Sequence, residues 1–64
     1  MNTPRFVACA IWHDKMDDQL HHAWCLTKTS DEAWAHTIYW DGYLDGLSVN
    51  WPDRISRICS FFCE

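Results

Sequence analysis

The 64-residue sequence has little glycine and little proline, with two residues of each. Two glycines are too few for a phosphate-binding loop, and neither GxGxxG nor GKT/GKS occurs. The HExxH motif and paired CxxC motifs are also missing, so no signature of a metalloprotease or of a structural zinc site is present. We therefore expect a protein that is not an enzyme.

Long apolar runs are missing as well. The segment RFVACAIW, residues 5–12, is short, alternates, and continues into HDKMDD without a cleavage site, so it does not predict a secretory signal. No stretch reaches the length of a membrane span. We expect a cytoplasmic protein whose cysteines are reduced and serve as small buried apolar residues.

Basic residues are few, since five Lys and Arg stand against nine Asp and Glu, for a net charge of −4 with neutral histidines. The imbalance lies in the middle of the chain, where residues 14–53 hold eight acids and only Lys15 and Lys28. This charge argues against direct binding of nucleic acid or of an anionic membrane. It permits a partner that is itself basic.

Aromatic residues are abundant, with five Trp, three Phe and two Tyr. A chain this short buries only about 60% of its unfolded surface, so part of this aromatic supply must stay exposed. We expect one compact domain over residues 1–64, with residues 1–4 frayed. A monomer and a homodimer both remain open.

Two segments in the first half predict strands. Residues 5–13, RFVACAIWH, are apolar on both alternating faces, which is typical of a central strand. Residues 19–29, QLHHAWCLTKT, fit either a strand or a helix. We favour a strand that forms a hairpin with residues 5–13.

A helix start follows these strands. Thr29 with Glu32 three residues later is a capping box, which predicts a short helix over residues 30–37. An alternative continues this helix through residue 43 to a cap at Gly46.

The stretch YWDGYLDGLSVNW, residues 39–51, predicts a hairpin, because Asp-Gly favours a type I′ turn. A turn at Asp45-Gly46 places Trp40 opposite Trp51 and separates an apolar face from a polar one. A turn at the other Asp-Gly pair mixes the two faces. We predict the Asp45-Gly46 turn.

The C-terminal segment NWPDRISRICSFFCE predicts a second helix, with Pro52 in its first turn. Its apolar stripe follows helical spacing. The residues of that stripe are Ile55, Ile58, Cys59 and Phe62. Together the elements predict an α+β fold, a small and mainly antiparallel β-sheet with one or two short helices packed on one face.

Cysteine and histidine combinations support a further hypothesis. DDQLHH, residues 17–22, would place two acids and two histidines at helical spacing, and Cys59 with Cys63 would lie one turn apart on the predicted helix. Zinc bound there with Cys25 or a histidine would stabilise a small chain, and four cysteines also allow three disulfide pairings. The spacings match no metal motif, so we expect no metal and no cofactor. A metal- or redox-responsive module remains an alternative.

The acidic surface is the remaining candidate site. Most acids have a structural explanation at turns or helix starts, but Asp41 has neither duty in the predicted hairpin. Asp41 there lies between Tyr39 and Tyr43, a composition that suits a protein interface. The predicted partner-binding residues are Tyr39, Asp41, Tyr43 and Asp45, with secondary contacts from Asp17, Asp18, Asp31 and Glu32.

A compact, acidic and aromatic-rich chain without a catalytic motif resembles the small phage-encoded anti-CRISPR inhibitors, and IYWDGY, residues 38–43, is similar to a recurring HWDGY segment in small phage and bacterial proteins. The resemblance implies a DNA mimic in the bacterial host cell. Such an inhibitor binds a basic nucleic-acid-handling protein, for example a Cas subunit, and competes with DNA or RNA. No residue roles carry over from that family. An accessory subunit with an aromatic interface is a further alternative, beside the metal- or redox-responsive module.

Overall fold

The computed structural model describes residues 5–63. Its elements are β1 (Phe6–Asp14), β2 (Gln19–Thr27), α1 (Ser30–Ser48) and β3 (Ile55–Cys63). The strands form one antiparallel sheet in the order β2-β1-β3, and α1 packs on one face of it. The predicted α+β class is confirmed, with one helix. The prediction that residues 1–4 are frayed lies outside the described residues.

The first half of the chain folds as predicted. β1 is the central strand, in agreement with its two apolar faces, and it forms a hairpin with β2. Phe6 lies opposite Thr27 at one end of this hairpin, and Asp14 lies opposite Gln19 at the other. Asp18 in the turn has φ 54, a left-handed conformation that Asp adopts more readily than most residues.

α1 replaces the hairpin predicted for residues 38–51. The helix begins after its Thr29 cap, as expected, but it continues to Ser48 instead of ending near residue 37. Both Asp-Gly pairs lie inside it, and no glycine has the positive φ that a type I′ turn requires. The predicted Asp45-Gly46 turn is therefore wrong, and the longer-helix alternative is closer to the structure.

Burial along α1 explains this outcome. Ala33, Thr37 and Leu44 are buried and Trp40 is half-buried, a spacing of three to four residues that matches a helix. Trp40 points at the sheet, so it does not pair with Trp51 in the following loop. Within residues 5–63 no helix is both long and apolar enough to cross a membrane.

β3 replaces the predicted C-terminal helix. Pro52 and Asp53 lie in the turn before it, and Asp53 has φ 66. The segment pairs with β1 over its whole length. It therefore satisfies the backbone hydrogen-bonding groups on the side of β1 that does not face β2. The stripe from Ile55 to Phe62 matched helical spacing, but on the strand it divides between the two faces of the sheet. Ile55 and Cys59 lie on the side of α1, and Ile58 and Phe62 lie on the opposite side.

The core lies between α1 and the sheet. The Trp12 ring stacks on Trp40 at 5.5 Å between ring centroids and on His21 at 5.4 Å. Among the described residues, Leu44 is the single large side chain that is fully buried. The core is therefore thin, as expected for a short chain.

An ion pair fastens the start of β3 to the β1–β2 turn. Asp14 accepts from Arg54 through both carboxylate oxygens, with Nε–Oδ1 and Nη2–Oδ2 distances of 3.1 Å. The Met16 amide donates to Asp14 Oδ1 at 2.9 Å, and the Lys15 amide donates to the Arg54 carbonyl at 2.9 Å. The Arg54 hydrogen bond, helped by the Met16 amide, lowers the pKa of Asp14, although its low exposure opposes that shift.

Candidate functional site

The first turn of α1 positions Asp31 and Glu32. The Glu32 amide donates to Thr29 Oγ1 at 3.2 Å, and Glu32 Oε2 accepts from the Lys28 amide at 3.1 Å. These bonds satisfy amides that the helix leaves without partners, and both acids lie where the helix dipole favours negative charge. The predicted capping duty is confirmed, whereas their predicted role as secondary partner contacts stays a prediction.

Asp41 and Asp45 lie one turn apart on α1 and share Arg57 of β3. Arg57 Nε is 3.1 Å from Asp41 Oδ1, and Nη2 is 2.6 Å from Asp45 Oδ1. The two aspartate side chains remain 56% and 68% exposed. The hydrogen bond to Asp45, with the nearby charge of Asp41, raises the pKa of Arg57. Asp41 therefore has a structural duty that the predicted hairpin did not include, and Asp45 pairs with Arg57 instead of forming a turn.

The tyrosines lie on the other flank of the helix. Residues two apart on a helix point in nearly opposite directions, so Asp41 does not stand between Tyr39 and Tyr43 as it would on a strand. Tyr39 lines a shallow groove toward β2, together with Cys25. Both tyrosine rings meet Trp40 edge-on, at 5.7 Å and 5.5 Å between centroids. The four predicted contact residues thus occupy two flanks of α1.

Net charge concentrates on this helix. α1 holds four acids and neither lysine nor arginine, while the five acids in the rest of the sequence balance its five lysines and arginines. The whole net charge of −4 therefore belongs to α1. The four acids are Asp31, Glu32, Asp41 and Asp45.

The position of the last two acids is unfavourable for the helix itself. The C-terminal end of a helix carries partial negative charge and favours cations, yet Asp41 and Asp45 lie in its C-terminal half and the last turn has no basic residue. Arg57 offsets part of this cost from outside the helix. Departures from local preference of this kind are expected at functional sites.

The turn acids Asp17 and Asp18 lie at the far end of the β1–β2 hairpin. Asp17 Oδ2 is 2.9 Å from His21 Nε2, and Asp18 Oδ1 is 2.9 Å from His13 Nε2. These pairs form in a strand hairpin rather than on the helix that the metal hypothesis requires. Residues 5–63 contain no group of three or more metal-type side chains that could hold an ion.

The cysteines are distributed over both faces of the sheet. Cys9 is buried with its Sγ 3.4 Å from Ser60 Oγ, and Cys9, Cys25 and Cys59 are free thiols. Burial, followed by the charge of Asp41, raises the pKa of the Cys59 thiol. Because the thiolate is the reactive form, this shift makes Cys59 less reactive. The predicted one-turn helical spacing between Cys59 and Cys63 is wrong, since both lie on β3.

A second surface, which was not predicted from the sequence, is the side of the sheet that faces away from α1. We call it the open face. Its side chains are Val7, Cys9, Ile11 and His13 of β1, Leu20, His22, Trp24 and Leu26 of β2, and Ser56, Ile58, Ser60 and Phe62 of β3. The sequence signal for this face was the order Ser, Ile, Ser, Phe at every second residue of β3, which is the spacing of one face of a strand.

Comparisons with known proteins add no further constraint. No protein-family model, no curated protein and no solved structure matches the chain. The resemblance to anti-CRISPR inhibitors therefore stays a prediction.

Proposed function

We propose that the chain is a non-enzymatic inhibitor that binds a basic nucleic-acid-handling protein through α1 and competes there with DNA or RNA. The observation that carries this proposal is the concentration of the net charge on α1, with Asp41 and Asp45 exposed against the preference of the helix dipole. A Cas subunit is a partner of this chemistry, as the resemblance implies.

The chemistry of the pair Asp41 and Asp45 suits a groove that binds phosphates. Residues four apart on a helix are separated by about 6 Å along the axis. Arg57 engages Oδ1 of each carboxylate, and a carboxylate accepts further hydrogen bonds through its second oxygen. Lys and Arg side chains of a partner can therefore bind both aspartates while Arg57 holds them in place.

A pull-down from bacterial lysate with the tagged protein tests the proposal, at low and moderate salt and with or without excess duplex DNA. We expect a partner that is lost as salt rises, because screening weakens exposed charge contacts. Duplex DNA should displace the same partner. Retention of the partner despite both salt and DNA would show that the acidic helix is incidental to binding.

A second candidate is an accessory subunit that binds its partner through an aromatic interface. The exposure of Trp24 in the middle of the apolar open face favours it. A partner bound in that way should resist both salt and DNA in the same pull-down. Among the described residues, no observation favours the metal- or redox-responsive alternative.

A further inference from the structure

The open face is apolar, although no element within residues 5–63 covers it. Trp24 is 59% exposed and Ile58 is 66% exposed, and they flank the buried centre of the face around Cys9. Leu20, Leu26 and Phe62 add three further exposed apolar side chains. A sheet with one covered face usually presents polar residues on the other, so this composition indicates a surface that is buried in use.

The open face also has no carboxylate, lysine or arginine among its twelve side chains. The net charge of the molecule lies instead on α1, on the opposite side of the sheet. Two copies can therefore approach through their open faces without bringing their acidic helices together. A partner that recognises carboxylates, lysines or arginines finds none among these twelve side chains.

We propose that the open face packs against the open face of a second copy. The product is a four-layer homodimer, with the two sheets in the middle and one α1 on each outer side. A second core then forms beneath the sheet, which supplements the thin core around Leu44. Both acidic helices stay exposed in this dimer.

The rows of the open face define how the copies fit. In one row Trp24 of β2 and Ser60 of β3 flank Cys9, and in another Leu20 and Ser56 flank His13. Each of these rows therefore has a large side chain over β2 and a small one over β3. A matching surface needs small residues opposite Trp24 and Leu20.

A two-fold axis parallel to β1 provides that match. It stacks β1 on the β1 strand of the second copy and β2 on the β3 strand of the second copy, so Trp24 meets Ser60 and Leu20 meets Ser56. An axis perpendicular to the strands would instead stack β2 on β2, where Trp24 could meet only large side chains. Shape therefore selects the parallel axis, which corresponds to aligned packing of two sheets.

The size of the face predicts a modest affinity. Three strands of nine residues cover about 30 Å by about 14 Å, or roughly 400 Å² of flat area per copy. Protruding side chains make the accessible area larger than this flat area, but the flat area is about half of the roughly 800 Å² per partner that a standard stable interface buries. We expect a dimer with a dissociation constant in the micromolar range.

Sedimentation velocity from low micromolar to millimolar concentration tests the proposal. The wild type should shift from monomer to dimer, and Trp24→Glu should remain a monomer because it buries an unpaired charge. Trp51→Glu is the matched control, since Trp51 is similarly exposed but lies in the loop before β3. This variant should dimerise as the wild type does. Far-UV circular dichroism would verify that each variant is folded.

Mixing two variants tests the axis itself. Ser60→Arg alone should also remain a monomer, because the introduced guanidinium would face Trp24 of the second copy. An equimolar mixture of Trp24→Glu and Ser60→Arg should form a heterodimer. In that heterodimer one site pairs the two new charges, and the other site keeps the native Trp24–Ser60 contact.

Three results would overturn the proposal: a wild type that stays monomeric at millimolar concentration, a Trp24→Glu variant that dimerises normally, or a mixture that remains monomeric. Normal dimerisation of Trp24→Glu would assign the contact to another surface, such as the open edges of β2 and β3. These outcomes leave the proposed role of α1 untouched, because that role depends on charges on the other side of the sheet.

Discussion

The two faces of the sheet differ in both cover and charge. The covered face carries charged side chains that are held in ion pairs, such as Asp14 with Arg54 and Arg57 with Asp41 and Asp45. The open face has no carboxylate, lysine or arginine, and its His13 pairs with Asp18 of the turn, yet it contains Trp24 at 59% exposure. A sheet with one covered side usually presents polar side chains to solvent on the other, so the open face departs from that pattern. The difference matches the two proposals: charge on the helix side would select a partner, and the apolar open face would pack against a second copy.

Truncation of one leucine on each side tests whether the two faces contribute differently to stability. Leu44→Ala removes the large fully buried side chain from the core and should lower the free energy of unfolding by about 3 kcal/mol. Leu26→Ala, on the half-exposed open face, should cost about 0.5 kcal/mol or less under conditions where the protein is monomeric. Urea unfolding at low protein concentration measures both. Equal losses would mean that the two faces are not distinct in the monomer.

Acid titration tests the contribution of the Asp14–Arg54 ion pair on the covered face. The pKa of Asp14 lies below its ordinary value of 3.8, chiefly because of the Arg54 hydrogen bond, so the folded state binds a proton there less readily than the unfolded state. The contribution is therefore fully present above about pH 4, near the unfolded pKa, and is lost as pH falls through the folded pKa. Asp14→Asn should be less stable than the wild type at neutral pH.

The stability difference between the wild type and Asp14→Asn should shrink as pH drops below about 4. Lys15→Gln changes a charge on the adjacent exposed turn. This variant should lose stability below about pH 4 in the same way as the wild type. Thermal unfolding across pH measures these curves. A difference that stays constant down to the most acidic pH would contradict the role of the Asp14–Arg54 pair.

A glycine on neither face of the sheet gives a small effect whose sign is informative. Beyond its chain neighbours and the backbone of its own helix, a Cβ at Gly46 would meet no atom within 4 Å, and the residue lies inside α1. Gly46→Ala should therefore stabilise the protein by about 0.5–1 kcal/mol through helix propensity. The hairpin predicted from the sequence would give a loss instead, because its turn requires positive φ at this position. Gly42→Ala, in an equally open position, should stabilise in the same way.

The sequence was sufficient to predict the elements whose signals are local. The apolar alternation of β1 and the Thr29–Glu32 cap depend on nearby residues, and both predictions are confirmed. β3 depends on a partner strand at the other end of the chain, so helical spacing in its own residues was misleading. The Asp-Gly pairs likewise favour a turn when only their neighbours are considered. The buried stripe of Ala33, Thr37 and Leu44 favours a helix instead, but it extends over a longer segment of the chain.

The candidate site shows the same limit. The acidic residues and exposed tyrosines could be named from composition, but their arrangement required knowledge of the helix, which separates Asp41 from Tyr39 and Tyr43. The link from Asp41 and Asp45 to Arg57 crosses from α1 to β3, and no local pattern indicates it. The open face was missed because its third strand was predicted as a helix.

The measurement that most directly tests the role of α1 compares Asp45→Asn with Asp53→Asn. Each variant removes one negative charge, but Asp45 lies on α1, whereas Asp53 lies in a turn at φ 66, which Asn also adopts. If charge on α1 selects the partner, Asp45→Asn should lower the DNA-displaceable capture from lysate several-fold at low salt, and Asp53→Asn should leave it unchanged. Equal capture by the two variants, with both folded, would contradict the role of the acidic helix.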